Sequence, residues 1–424
     1  MKNISMIETN HEKSYKNLQR KFLIVYLLAS FVDWLQGPYL YRVYMTYNYT
    51  KTDISFFYII GFLSSGIFGI IIGIIADKFG RKKLCLVYFI STTITCLSMT
   101  SKNYKIHLIG RLFGGVSSAI LYSTFESWYI GQHINEQLDK SLIGLTFTKS
   151  TFYNGVNAII AGLISSLISD NFSYGPTAPF LLSIPISIIT LLICYTSWNE
   201  SIIVISKINL FHGLKVILFS KKKKLLISLL IIQTIFETVM YIFIFIWTPI
   251  VEPIKPSYGI IFGGFMTSIA LGSYCHSLIE KKLKLTREII LCFSIIMAFL
   301  SIGISTIGIY LQNSYSSFGT YLTLASFFLF EFTVGFYYPS ICFIRGIIVP
   351  ENCRASVVNW LRLPTNIFIC IILLFIKTNS PDNCLIFFSS TVALGVTALF
   401  TLNFTKEFSN YQKYCQLNNS IEKI

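Results

Sequence analysis

Apolar runs recur along the chain at 22–44, 53–76, 84–100, 107–131, 142–168, 176–198, 225–250, 257–279, 289–311, 318–344, 355–376 and 384–403, with short polar intervals between them. About 20 apolar residues in a helix cross the hydrocarbon core of a bilayer, so each run is a candidate span. A barrel would instead show alternating strands of about ten residues, and no such alternation is present. The pattern predicts an all-α polytopic membrane protein with twelve transmembrane helices. The longest polar interval, 199–224, follows the sixth run and ends in Lys221–Lys224. That spacing predicts an N-terminal tail over 1–21, a six-helix bundle over 22–198, a basic linker over 199–224, a second six-helix bundle over 225–403 and a C-terminal tail over 404–424. The four lysines at the linker's end suit span anchoring, with attraction to anionic lipid as the alternative.

Composition agrees. The chain has 424 residues, 54% hydrophobic and only 12% charged; soluble domains carry about 25% charged residues. This excludes a soluble enzyme and a disordered protein. The net charge of +15 would suggest nucleic acid in a soluble chain. Here the basic residues sort by side of the membrane, and no nucleic-acid partner is expected. With the N-terminus in the cytosol, 25 Lys and Arg fall on cytoplasmic segments, 6 on outer loops and 3 within spans. Positive charge collects on cytoplasmic loops, so both termini are expected in the cytosol. The first run contains Asp33 and lacks a small-x-small cleavage site, so it reads as a retained span rather than a signal peptide. Ten cysteines, several inside apolar runs (Cys96, Cys194, Cys292, Cys370), read as small buried side chains rather than disulfide or zinc ligands.

Between the second and third spans the chain reads Gly73-Ile-Ile-Ala-Asp77-Lys78-Phe-Gly80-Arg81-Lys82-Lys83. This resembles the signature loop of the major facilitator superfamily, in which the loop latches a cytoplasmic gate. The residue chemistry is compatible. Gly73 permits close helix approach, Asp77 can cap or pair at the end of its span, Gly80 permits a sharp turn, and Arg81 to Lys83 suit the cytoplasmic face. Gly73, Asp77, Gly80 and Arg81 are therefore the expected gate residues. The second-half counterpart, Glu280 to Lys284, is degenerate.

An ionisable side chain at mid-bilayer costs about 2.5–3.5 kcal/mol on insertion scales, so each one calls for a role. The candidates are Asp33, Arg111, Glu126 and Lys149 in the first half, and Glu237, Glu331, Arg345 and Arg362 in the second. They recur at matching places. Asp33 and Glu237 lie about 17 Å into spans one and seven, and Lys149 and Arg362 about 12 Å into spans five and eleven, at 1.5 Å per residue. Arg111 and Glu331 align through Gly115 and Gly335. Two bases facing an anion would hold it well, the Arg fork giving bidentate bonds and Lys a point charge. Lys149, Arg362 and Arg111 are the expected substrate-binding residues. Asp33, Glu126, Glu237 and Glu331 are expected either to carry protons or to pair with the bases; Glu126 lies within reach of Lys149.

Further stretches are more specific: Asp33-Trp-Leu-Gln-Gly-Pro-Tyr-Leu-Tyr41, Gly110-Arg-Leu-Phe-Gly-Gly115, Phe125-Glu-Ser-Trp-Tyr129, Ile235-Phe-Glu-Thr238, Trp247-Thr-Pro249, Tyr337-Tyr-Pro-Ser340 and Asn359-Trp-Leu-Arg-Leu-Pro364. Together, from about residue 22 to 403, the sequence resembles the molybdate-anion transporter family, also called major facilitator superfamily domain-containing protein 5. The resemblance implies uptake of molybdate, a tetrahedral dianion, at the plasma membrane, with an organelle membrane as the alternative. The chain departs from the family pattern in having Lys149 where Arg is usual and Gly346 where a second basic residue is usual. Lys keeps the charge and loses the fork geometry. Its Lys, Asn and Ile usage suggests a diverged member of an AT-rich genome.

No Walker loop, zinc-ligand spacing or phosphate-gripping turn is present, so neither an enzyme activity nor a cofactor is expected and transport would draw on a gradient. The expected partners are molybdate or a related oxyanion, the lipid bilayer and protons, and the chain is expected to be a monomer. Two rival readings stay open. One is a carrier of another solute, such as sulfate, an organic acid or a sugar. The other is a non-transporting membrane receptor or scaffold.

Overall fold

The computed structural model describes residues 2–139, 141–200, 211–220, 222–349, 354–379 and 382–421, with side chains described within 12–72, 75–76, 79–139, 142–200, 211, 213–220, 222–349, 357–377 and 382–412. Lys140, Lys207, Lys221 and Arg354, and the side chains of Gly73, Asp77 and Lys78, lie outside the described residues or side chains. The described backbone is helical, with no strand among the described residues. Eleven helical stretches among them are long and apolar enough to cross a membrane. The chain clusters into two compact units: residues 1–209 with 257–263, and residues 210–256 with 264–424.

The first unit contains α1 (Lys2–Gln36), α2 (Leu40–Thr46), α3 (Lys51–Phe79), α4 (Arg81–Ser98), α5 (Tyr104–Leu121), α6 (Thr124–Asn135), α7 (Ser141–Ser166) and α8 (Ala178–Ser197). The polar segment before span one continues the same helix, and its Tyr15 and Leu18 are buried. Gly37-Pro38 interrupts span one as a 3-10 turn before α2, because proline removes a backbone donor and clashes with the preceding turn. A reciprocal cap starts α3: the Asp53 amide donates to Thr50 Oγ1 at 3.2 Å, and the Thr50 amide donates to Asp53 Oδ2 at 3.1 Å. Gly80, at φ 102°, ends α3 and lets α4 begin at the next residue.

The third predicted span is α4, and it is not among the eleven apolar stretches. It buries Ser91, Thr92, Thr95 and Ser98. Two of these hydroxyls are satisfied by backbone: Thr95 Oγ1 donates to Ser91 O at 2.9 Å and Ser98 Oγ to Thr95 O at 2.6 Å. Predicted span four is not one helix. It breaks between α5 and α6 at Tyr122-Ser123, where Ser123 Oγ bonds back to Ala119 O at 2.7 Å and competes with the helix ladder.

The second unit contains α9 (His212–Phe219), α10 (Lys223–Val251), most of α11 (Tyr258–Leu283), α12 (Arg287–Leu311), α13 (Ser316–Ile348), α14 (Arg354–Asn379) and α15 (Asn383–Ile421). Helix α10 is its centre, with Phe236, Phe243, Phe245 and Ile246 buried. Phe236 stacks on Tyr337 of α13 at 3.9 Å between centroids, and Phe243 meets Phe327 edge-on at 5.0 Å.

The two units share one packing device. A Cβ at Gly115 of α5 would lie 2.5 Å from Gly61 O of α3. A Cβ at Gly335 of α13 would lie 2.2 Å from Ile269 O of α11, and one at Gly272 would lie 2.1 Å from Phe332 O. Small residues let these helix pairs touch backbone to backbone, as is common inside membranes.

Candidate functional site

In the first unit the polar centre is Arg111 on α5. Its Nε donates to Phe57 O at 3.3 Å, and its guanidinium carbon sits 5.3 Å from the centre of the Tyr58 ring. Gly61 makes the room, since a Cβ there would lie 2.5 Å from Arg111 Nη2. Asp33 on α1 lies within electrostatic reach of Arg111 and accepts a hydrogen bond from Tyr122 at the α5–α6 break. Sequence-predicted Asp33 and Arg111 are thus brought together. Guanidinium carries five donors and Phe57 takes one, so the pair can serve further acceptors.

Lys149 on α7 is exposed, and its Nζ donates to Gln19 Oε1 at 3.2 Å. Gln19 Nε2 in turn donates to the Tyr15 hydroxyl at 2.7 Å and to Thr146 Oγ1 at 2.8 Å, and Tyr129 meets the same threonine hydroxyl at 2.7 Å. The partner of Lys149 is therefore Gln19 of α1, not Glu126. Glu126 is exposed in the first turn of α6 and acts electrostatically on Tyr26.

The signature loop is built into the first unit more deeply than its charges suggest. Arg81 is only 8% exposed, and its Nη1 donates to Ser127 O at 2.6 Å. Glu200, which the sequence reading passed over, accepts from the Lys82 amide at 3.1 Å and the Lys83 amide at 3.3 Å, and its carboxylate packs against Gly80. It caps the free amides at the start of α4, where an anion is favoured. The segment carrying Glu200 is held by a stack of Trp128 on Trp198, 3.5 Å between centroids, and by Trp128 Nε1 donating to Asn199 O at 2.9 Å. A lone acid just after span six, beside the basic linker, was the available signal.

In the second unit the polar centre is Glu237 on α10, 6% exposed. The Tyr337 hydroxyl reaches its Oε1 at 3.5 Å, and Arg362 of α14 and Arg345 of α13 act on it electrostatically. Arg362 is exposed. Glu331 on α13 is 4% exposed and has neither a hydrogen bond nor an ion pair among the described residues. Around Glu237 the side chains of Gln233, Thr234, Thr238 and Thr365 are buried without a hydrogen-bond partner. The sequence reading missed these four, although Gln233 and Thr234 precede Glu237 and Thr238 by one turn and so share a face.

Each unit therefore holds an acid beside an arginine at membrane depth, together with uncommitted donors. Such an arrangement can bind a polyanion through charge-assisted hydrogen bonds and can exchange a proton at the acid.

Comparison with known proteins places these features. The family described as sugar transporters, 12 TM, matches residues 1–330. A molybdate-anion transporter of Takifugu rubripes is 33% identical over 391 residues, covering 85% of this chain and 80% of that protein. A molybdate-anion transporter of Xenopus tropicalis is 32% identical, covering 84% and 78%. Among solved structures, the D-xylose-proton symporter superposes with a TM-score of 0.70 at 13% identity, covering 92% of this chain and 97% of that one. That structural likeness speaks to the fold alone.

Proposed function

Because the chain belongs to the molybdate-anion transporter family of the major facilitator superfamily, we propose that this integral membrane transporter carries molybdate into the cell. The observation that carries the reading is the match, at about a third of positions over most of the chain, to proteins named for that anion. The chemistry of the spans supports it. Arg111 and Arg362 offer positive charge at membrane depth, and a tetrahedral dianion suits such groups better than a neutral sugar does.

In a cycle of alternating access, Arg111 and Lys149 of the first unit and Arg362 of the second each serve as anion-binding residues. The loop around Gly80 and Arg81, with Gly73 and Asp77 on the preceding helix, forms the cytoplasmic gate, and Glu200 holds that loop in its closed shape. Asp33 keeps Arg111 oriented. Glu237 is the proton carrier, and Glu126 modulates the cytoplasmic end of the first unit. Both termini lie in the cytosol, the membrane is the plasma membrane, and the protein works as a monomer.

Cells deficient in molybdate uptake test this when given the chain or an empty vector. The expected outcome is saturable molybdenum accumulation with the chain, lost in Arg111→Ala and Arg362→Ala although both variants reach the surface. Accumulation equal to the vector's, from protein confirmed at the surface, contradicts it.

A further inference from the structure

In the second unit most serine and threonine hydroxyls along the helices turn back onto a carbonyl three or four residues earlier. Ser294, Ser301, Thr320, Thr323, Thr333 and Thr397 all do so, at 2.7 to 2.9 Å. This is the cheap way to bury a hydroxyl in a helix. Thr234, Thr238 and Thr365 do not take it, although they are 6%, 5% and 1% exposed. Gln233 is fully buried, and neither its nitrogen nor its oxygen is bonded. It lies against Glu237 as a side-chain contact that falls short of full hydrogen-bond geometry. The one other unpartnered buried side-chain atom of this unit, among the described residues, is the Ser220 hydroxyl at the end of α9. Orphaned polar groups are rare in proteins and each calls for a partner. Here they are concentrated.

Helix geometry puts them within a band about 11 Å deep. Counting 1.5 Å per residue from the basic ends of α10 and α14, Gln233, Thr234 and Thr365 lie about 15–17 Å in, Arg362 about 12 Å in, and Glu237 and Thr238 about 21–23 Å in. Gln233, Thr234, Glu237 and Thr238 share a face of α10. Thr365 is one turn from Arg362 on α14, and Arg362 acts on Glu237. Tyr337 of α13 adds its hydroxyl at 3.5 Å from Glu237. The layer thus combines three threonine hydroxyls, an amide, a phenol and a guanidinium around one carboxyl group.

Every neutral group in this layer can donate, and a tetrahedral oxyanion is an all-acceptor ligand with four oxygens to satisfy. The charges complete the match. The groups acting on Glu237 are Arg362 from α14 and Arg345 from α13, with Gln233 and Tyr241 on its own helix and Tyr337 on α13; among the described side chains no charged group of α9 or α15 acts on it. Two arginines against an ionised Glu237 leave one net positive charge. Two arginines beside a protonated Glu237 leave two, which balances a dianion.

Taking the chain as the oxyanion carrier proposed above, we infer that Gln233, Thr234, Thr238 and Thr365 form the neutral donor wall of an oxyanion subsite in the second unit, and that the dianion seats there only when Glu237 holds a proton. The dianion and one proton enter this layer together, and the proton leaves Glu237 when the anion leaves. Molybdate movement is then tied to proton movement in the same direction.

The test uses purified full-length protein in proteoliposomes with a pH-sensitive dye in the lumen and molybdate outside. The wild type is expected to acidify the lumen as molybdate enters. Thr234→Val, Thr238→Val and Thr365→Val are each expected to raise the KM for molybdate about tenfold, the loss of one hydrogen bond to an anion. The matching Thr→Ser variants keep the hydroxyl and are expected to restore it, which separates lost bonding from lost folding. Glu237→Gln is expected to abolish lumen acidification and the pH dependence of whatever molybdate uptake it retains. Molybdate entry in the wild type with unchanged KM in all three valine variants overturns the donor wall alone. Lumen acidification that persists in Glu237→Gln overturns the proton linkage. A wild type that moves no molybdate overturns the oxyanion reading itself, and the subsite with it.

Discussion

Arg111 and Glu331 stand at the same place in two matching helices, each four residues before the glycine that lets its helix touch a neighbour. Their surroundings differ. Arg111 has a backbone carbonyl, an aromatic face and the charge of Asp33. Glu331 is buried with no hydrogen bond or ion pair among the described residues. The contrast extends to the units they belong to. The first unit's Arg111 meets backbone, ring and carboxylate, and its unpartnered polar atoms are scattered over Tyr44, Thr92, His107 and His133, while the second unit has unpartnered hydroxyls and an amide on the helices of Glu237 and Arg362. One packing device, used twice, supports a fixed charge in one half and an adaptable polar layer in the other.

The sharpest way to break this comparison is to remove each of the two residues. Arg111→Ala leaves half-buried Asp33 without its nearby positive charge and removes the guanidinium that would hold the anion. Molybdate uptake should fall by at least about 100-fold at equal surface expression. Glu331→Gln removes no partner, so saturating uptake should stay within about twofold and thermal stability within about 1 kcal/mol of wild type. Equal losses in the two variants would erase the distinction. Uptake against concentration, with a melting scan of each purified variant, measures both.

A second pair sharpens it. A Cβ at Gly272 meets a backbone oxygen at 2.1 Å, whereas a Cβ at Gly61 meets the tip of the Arg111 side chain at 2.5 Å. Backbone cannot yield as a side chain can. Gly272→Ala should therefore destabilise by about 1–3 kcal/mol, the range for overpacking. Gly61→Ala should leave stability nearly intact and raise the KM for molybdate, because it displaces the guanidinium. Melting temperature and KM, measured on the same two proteins, separate the effects.

The smallest expected effect is at the signature loop. Glu200→Gln keeps the shape of the cap on α4 and removes its charge. The loss should be about 1 kcal/mol, read as a fall of about 2 °C in the melting temperature, together with a faster exchange of the cytoplasmic end between closed and open forms. A fall of 10 °C would mean that Glu200 holds far more than one helix start.

The architecture was legible because membrane helices need long apolar runs and little else. The break in span four was not, since Ser123 bonding back to Ala119 is a local competition that hydropathy does not register. Helix α4 was legible despite its hydroxyls, of which Thr95 and Ser98 bond back onto their own helix. The intramembrane charges stood out by type, and helix counting matched Asp33 with Glu237 and Lys149 with Arg362 in depth. The partner of Lys149 could not be counted out, because Gln19 belongs to a segment that looks like a polar tail and continues as helix. Gln233, Thr234, Thr238 and Thr365 were invisible for a related reason. A threonine in a span normally bonds its own helix, and only the structure distinguishes those that do not.

The most direct measurement of the central claim is parallel uptake of molybdate and D-xylose by the purified chain in proteoliposomes, since the matching family is described as sugar transporters while the relatives are named for molybdate. The account predicts saturable entry of molybdate and none of D-xylose. Entry of D-xylose without entry of molybdate would contradict it.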